Sequence, residues 1–157
     1  MRNKLKGITL VETILYIGLF SIIIIIVLNF MLSTQEANQR TDNRLEINRV
    51  SEFVSKHINS SFNKNLSIDS TTSVFNDNQG VLSLIFIDGN RQYTLTDSQI
   101  SFDGTPITPT TVSVTRFNLI PIYKGTDTIV GIKTEITFIS KKDSSITETI
   151  NLLSLIR

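Results

Sequence analysis

The amino-acid sequence predicts an α+β fold in which one long N-terminal helix packs on a C-terminal antiparallel β-sheet. Three observations predict this class. Residues 8–32 form an almost uninterrupted apolar run, residues 45–66 carry apolar side chains at helical spacing, and after residue 66 short apolar runs alternate with turn residues.

The chain divides into four predicted segments. Residues 1–7 are a basic leader, and residues 8–32 are a transmembrane or assembly helix. Residues 33–66 continue that helix, as an amphipathic element, into the globular domain. Residues 67–157 form the antiparallel sheet domain.

Length and composition exclude several kinds of protein. The 157 residues suffice for one domain, and the formal net charge of +1 predicts no strongly charged partner. Cysteine is absent and His57 is the only histidine, so thiolate catalysis and cysteine metal sites are excluded. We therefore predict no enzyme, no cofactor and no metal site, and we interpret His57 as a residue at the edge of an apolar stripe.

The apolar run is long enough to cross a membrane. Its 25 residues, at about 1.5 Å each, exceed a hydrocarbon core of about 30 Å. A secretory signal peptide has a shorter apolar region, and residues 33–37 offer no small-residue cleavage site. An uncleaved anchor explains the run and the basic residues Arg2, Lys4 and Lys6, which favour a cytoplasmic N-terminus. It does not explain Glu12, because an acid in a membrane helix is costly.

A third interpretation accounts for Glu12. The sequence KGITLVE at residues 6–12 resembles the prepilin peptidase site of type IV pilins and pseudopilins. The resemblance implies cleavage after Gly7, methylation of Ile8 as the new N-terminal residue, and an acid, Glu12, at the fifth position of the mature chain. Many family members carry Phe where this chain has Ile8.

The chemistry of that site is consistent with its spacing. Cleavage after Gly7 creates a positively charged amine at the head of an apolar helix. Pairing the amine of Ile8 on one subunit with Glu12 on a neighbour offsets the cost of both charges and fixes the axial register. The alternative that Glu12 lies close enough to the membrane surface to be solvated stays open at this point.

The resemblance also implies a location and a set of partners. The chain is expected in the cytoplasmic membrane as a single-pass protein with its N-terminus inside, and then in a cell-surface or periplasmic filament. The implied partners are a prepilin peptidase, other pilin or pseudopilin subunits, and the inner-membrane platform protein of the assembly machine. The absence of proline from residues 8–32 favours a minor pilin or pseudopilin over a major pilin. The resemblance leaves nucleic-acid binding open, as for pilins of DNA-uptake machines, but Lys141, Lys142 and Lys133 form too small a basic patch to support it.

The residues that follow the apolar run predict the globular domain. Residues 33–44 are polar and are either a continuing helix or a flexible linker. An apolar stripe then follows on one helix face, with Glu46 and Arg49 on the opposite face. Its members are Ile47, Val50, Phe53, Val54, Ile58, Phe62 and Leu66.

The remaining chain predicts four to six strands of one sheet. Strands are expected over residues 81–87, 91–95, 100–102, 112–123, 132–138 and 146–156. Turns are expected at residues 88–90, 103–104, 125–127 and 141–145.

Overall fold

The computed structural model describes residues 9–125 and 128–156. One helix, α1 (Leu10–Phe62), precedes eight strands. The strands are β1 (Ser67–Ile68), β2 (Val81–Phe86), β3 (Gly89–Thr96), β4 (Gln99–Phe102), β5 (Thr105–Pro106), β6 (Val112–Lys124), β7 (Thr128–Ser140) and β8 (Thr147–Leu155). The chain separates into two compact units, Met1–Gln39 and Arg40–Arg157, which are described in turn.

The first unit consists, where it is described, of Thr9 and the first thirty residues of α1 (Leu10–Gln39). All of these residues are exposed. The hydroxyl groups of Ser21 and Thr34 donate to the carbonyl oxygens of Ile17 and Phe30, each at 2.8 Å. These bonds satisfy polar groups within the helix itself, which is what an apolar surrounding requires.

The polar stretch at residues 33–44 is helical throughout. The helical alternative for this stretch is therefore confirmed, and the flexible-linker alternative is wrong. Intrinsic helix propensity alone does not explain why this stretch is helical, because a helix that is polar on all sides buries no apolar face and is only marginally stable by itself. The stretch is continuous with helix on both of its ends.

The second unit begins within α1, whose later turns bury one face. Ile47, Val54 and Ile58 are almost fully buried, with Val50 and Phe62 beside them. For two members of the predicted stripe the expected burial is wrong. Phe53 is 51 % exposed because it lies about 100° around the helix from Val54, and Leu66 is 62 % exposed because the helix has already ended.

The helix ends at Phe62 rather than at residue 66. The N–H groups of Lys64 and Asn65 both donate to the Ser61 carbonyl oxygen, at 3.1 and 2.9 Å, which closes the last turn. The Leu66 N–H then donates to the Ile85 carbonyl oxygen at 2.7 Å. This bond leads the chain into β1, a short strand that the sequence did not predict.

Glu46 also differs from its predicted position. It was assigned to the face opposite the stripe, but its carboxylate accepts a hydrogen bond from the Thr111 hydroxyl and lies 3.6 Å from Lys142 Nζ. These contacts tie α1 to the loops before β6 and after β7. Lys142 is thereby partly neutralised, which weakens the small basic patch further.

The strands form two sheets, whereas the sequence predicted one. The first has the order β1-β2-β3-β4-β5 and the second β6-β7-β8, with all neighbours antiparallel. The edge of β6 does not join a strand of the first sheet. Instead it is bonded by the loop before β2, through Asn76 N–H to Leu119 O at 2.8 Å and Phe117 N–H to Asn78 O at 2.7 Å.

Gly80 permits that loop to approach β6. Its N–H donates to the Phe117 carbonyl oxygen at 2.8 Å, and a Cβ atom at residue 80 would lie 2.7 Å from the same oxygen. No side chain fits there without movement of the backbone. The separation into two sheets thus depends on a loop contact made between residues far apart in the chain.

Tight turns connect the strands of the first sheet. Asp97 and Ser98 have φ angles of 52° and 61° between β3 and β4, and Asp103 and Gly104 have 52° and 77° between β4 and β5. Positive φ at both central residues is the signature of a hairpin turn whose twist matches the strands. The predicted turn at residues 103–104 is confirmed. The turn predicted at residues 88–90 begins earlier, because Phe86 pairs with Gly89 across a two-residue connection.

One hydrophobic core joins α1 to both sheets. Its largest fully buried side chains are Tyr93 of β3, Phe117 of β6 and Phe138 of β7. The buried stripe of α1 belongs to the same cluster. The architecture is therefore α+β, with the second part of the long helix packed against antiparallel sheets.

We expect Ile58→Ala to lower the free energy of unfolding by about 2–5 kcal/mol, because Ile58 is fully buried and its loss leaves a cavity. Leu45→Ala is the matched control, since Leu45 lies on the same helix but is 47 % exposed. Urea unfolding of the full chain in detergent micelles measures both variants. Equal effects of the two substitutions would contradict the packing of α1 described above.

Candidate functional site

Of the three residues predicted to form the processing and assembly site, the structure describes one. Gly7 and Ile8 lie outside the described residues. Glu12 lies in the first turn of α1, next to Thr9, which immediately precedes the helix.

Thr9 and Glu12 form a reciprocal cap at the start of the helix. The Thr9 N–H and hydroxyl donate to the same Glu12 carboxylate oxygen, at 3.2 and 3.3 Å. In return the Glu12 N–H donates to the Thr9 hydroxyl oxygen at 3.3 Å. This is a capping box, in which a Thr at the helix start and a Glu three residues later satisfy each other's backbone N–H groups.

Our sequence analysis missed this role for Glu12. The signal was present, because Thr-x-x-Glu before an apolar run is the usual sequence pattern of a capping box. The cap gives the carboxylate a partner within its own helix and places it at the positive end of the helix dipole. Chemically it is a fixed anion, available to a cation that approaches the helix start.

The surface around and beyond the cap is apolar. Every large apolar side chain of residues 10–32 is between 41 and 78 % exposed. The helix is long and apolar enough to cross a membrane, and the apolar stretch is wholly unburied. A continuous exposed apolar surface of this size requires lipid or protein around it. The first unit is compatible with a single-pass membrane anchor.

A second polar cluster lies in the globular domain, at the single histidine. His57 Nδ1 lies 2.7 Å from the Tyr93 hydroxyl oxygen, which lies 2.6 Å from the Ser61 hydroxyl oxygen. The His57 ring also meets the Phe102 ring edge-on, with centroids 5.0 Å apart. His57 is thus an internal hydrogen-bond partner that joins α1 to β3 and β4. The prediction that His57 is only an edge residue missed this bonding role, because its partner Tyr93 is 36 positions away in the sequence.

Burial shifts both titratable groups of this cluster toward their neutral forms. Burial lowers the pKa of His57 below its ordinary value, and the positive charge of Lys64 lowers it further. Burial raises the pKa of Tyr93 to about 12, against a smaller opposing effect of its bond with Ser61. The cluster therefore contains no charge near neutral pH.

Among the described residues, the cluster lacks the acid of a nucleophilic triad. A nucleophilic triad needs an acid that orients the histidine, but the groups bonded to or stacked on His57 are Tyr93, Phe53 and Phe102. Within residues 9–125 and 128–156, no group of three His, Cys, Asp or Glu side chains could hold a metal ion.

The outer face of the second sheet carries a small charged cluster. Glu135 on β7 lies 2.7 Å from Lys133 Nζ and 2.9 Å from Arg116 of β6. The bond from Lys133, followed by the charges of Lys133 and Arg116, lowers the pKa of Glu135. Both basic residues are about half exposed, so this is a surface ion-pair network of small energy and not a binding pocket.

The comparisons with known proteins return no relative. No family model matches the chain, and no curated protein or solved structure matches it either. The resemblance at residues 6–12 therefore stands on those residues alone.

We expect the domain to lose stability as the pH falls below about 6.5, the ordinary histidine pKa. The folded chain holds His57 at a lowered pKa, so the unfolded chain binds more protons as the pH falls from that value toward the folded pKa, and unfolding is favoured. Urea midpoints at pH 7.5 and 5.2 measure the effect. His57→Phe keeps an aromatic ring beside Phe102 but cannot titrate, so its midpoint should change less between these pH values. An identical pH dependence in both proteins would contradict this assignment.

Proposed function

We propose that this chain is a structural subunit, a minor pilin or pseudopilin, of a type IV pilus, a type II secretion system or a DNA-uptake filament. The observation that carries the proposal is the position of Glu12. It is the only charged residue of residues 8–32, it stands five positions after Gly7, and it lies in the first turn of α1, at the start of the exposed apolar part of that helix.

The proposed maturation begins with removal of residues 1–7 by a prepilin peptidase, which cuts the peptide bond after Gly7. The released amine belongs to Ile8, next to the cap formed by Thr9 and Glu12. The new ammonium group and the Glu12 carboxylate are both costly in lipid, so each gains from pairing with the other. Pairing between neighbouring subunits gives the assembly its axial register.

The exposed apolar surface of residues 10–32 supports the second part of the proposal. In the membrane, lipid covers this surface, and in a filament the same surfaces of neighbouring subunits cover each other. Extraction from the bilayer therefore exchanges one apolar surrounding for another. An assembly platform in the inner membrane and other pilin-like subunits are the partners that this process needs.

An uncleaved single-pass anchor that presents a β-rich binding domain is the second candidate. The capping box favours it, because Thr9 already satisfies the Glu12 carboxylate without any new amine. In this case residues 1–7 remain in place and Glu12 contributes only to the start of the helix.

The N-terminus of the protein made in its own host separates the two candidates. We expect intact-mass spectrometry to show a chain that begins at methylated Ile8, because the peptidase recognises the Gly7 site before an apolar helix. A mature chain that keeps residues 2–7 would refute the pilin proposal and support the anchor.

We also expect Glu12→Ala to be processed normally yet to enter filaments or the parent assembly about tenfold less. The substitution leaves the ammonium of a neighbour unpaired, and a tenfold loss corresponds to about 1.4 kcal/mol. Glu36→Ala is the matched control, since Glu36 is an exposed acid on the same helix outside the apolar run. Quantitative blotting of cellular and assembled fractions measures both. Equal incorporation of the two variants would remove the register role of Glu12.

A further inference from the structure

The last strand, β8, forms an open edge of the second sheet. It has nine residues, pairs only with β7, and contains no proline, lysine or arginine. Its one charged residue is Glu148. Natural sheets usually shorten, charge or cover such an edge, because an exposed row of N–H and C=O groups pairs with other strands.

The other sheet edges are either very short or covered by a loop. β1 and β5 have two residues each, and β5 contains Pro106. The edge of β6 is bonded by the loop before β2 and by Ser98, whose carbonyl oxygen accepts the Val114 N–H at 2.8 Å. Among the described residues, β8 alone offers a long unprotected edge.

The hydrogen-bond pattern identifies which residues of β8 direct their backbone N–H and C=O groups toward the open edge. The bonds that flank the strand are Ser140 N–H to Ile146 O, at 3.1 Å, and Ile156 N–H to Val130 O, at 2.9 Å. In an antiparallel ladder, bonding alternates along the strand, so the even-numbered residues bond to β7. The N–H and C=O groups of the odd-numbered residues therefore point to the open edge. These residues are Thr147, Thr149, Asn151, Leu153 and Leu155.

Two separate recesses lie between α1 and β8, one at each end of the strand. One recess of about 290 Å³ lies at the start of β8 and is lined by Arg44, Ile47 and Glu148, among others. Another of about 410 Å³ lies at its end and is lined by Asn59, Phe62 and Leu155, among others. Helix and strand therefore run in the same direction, and the Ser154 hydroxyl joins them through a 3.0 Å bond to Asn59 Oδ1.

The charges of the two recesses differ. Arg44 and Glu148 both line the recess at the start of β8, whereas the residues that line the recess at Phe62 carry no charge. The side chains of Ile150 and Leu152 are only half-buried, because the sheet stops at their strand. An added strand covers them and places alternate side chains toward α1.

We propose that the open edge of β8 binds an extended segment of another polypeptide, which adds to the sheet as a strand. The segment carries uncharged apolar side chains at alternate positions, one of which enters the recess at Phe62. The inference does not depend on cleavage after Gly7, so it can fail or succeed independently of the proposed function.

The test is selection of a random twelve-residue peptide library, displayed on phage, against the full chain in lipid nanodiscs. Recovered peptides are expected to show apolar residues at every second position. Asn151→Pro is expected to weaken their binding at least tenfold, because proline removes an outward N–H and leaves the bonds to β7 intact. Asn151→Val is the matched control, since it changes the side chain but keeps the N–H, and its binding should be unchanged.

Amide hydrogen exchange supplies a second measurement that needs no variant. On addition of a recovered peptide, the amides of Thr149, Asn151 and Leu153 should become protected, while those of Ile150 and Leu152 are protected already. Recovery of no peptide, equal binding to the proline and valine variants, or unchanged exchange at the odd-numbered residues would each overturn the proposal.

Discussion

The central physical constraint on this chain is that 23 residues of helix, Leu10 to Leu32, expose their apolar side chains. At about 25 cal/mol per Å² of apolar surface, leaving such a helix in water is prohibitive, so its environment has to be lipid or other apolar helices. Its backbone groups bond within the helix, and the hydroxyl groups of Thr13 and Ser21 donate to carbonyl oxygens one turn earlier. The capped acid at the helix start is the one charge that this surrounding has to accommodate.

In the second unit, the later part of the same helix is packed in a hydrophobic core. From residue 43 onward one face of α1 is buried against two antiparallel sheets, with Val54 and Ile58 at the centre of the contact. Three polar groups in this contact, the Ser61 and Tyr93 hydroxyls and the His57 imidazole, are paired with one another. These bonds fix the rotation of α1 relative to β3, because a hydrogen bond is directional and the surrounding apolar contacts are not.

The sequence was informative where structure is decided locally. Apolar alternation located the longer strands, and the Asp103–Gly104 turn was predictable because few residues adopt positive φ. The division into two sheets was not predictable, since it depends on contacts such as Gly80 with Phe117 that join distant parts of the chain. The same holds for His57, whose partner Tyr93 is supplied by a strand far along the sequence. At the helix start the resemblance drew attention to Glu12 as an assembly residue, and its local role with Thr9 was overlooked.

That local role changes how the proposed assembly through Glu12 would work. A carboxylate with no partner in the membrane would bind any available amine, so its pairing would carry little information about where a subunit belongs. In this chain the carboxylate already accepts two hydrogen bonds from Thr9, at 3.2 and 3.3 Å. In the proposed assembly, a neighbour's ammonium group would have to compete with, or join, this existing cap. The Thr9 bonds are already charge-assisted on the carboxylate side, so the amine would gain only through the Coulomb attraction of its full positive charge, which requires close approach. The cap would thus make the proposed pairing conditional on geometry, which is the property that an axial register requires.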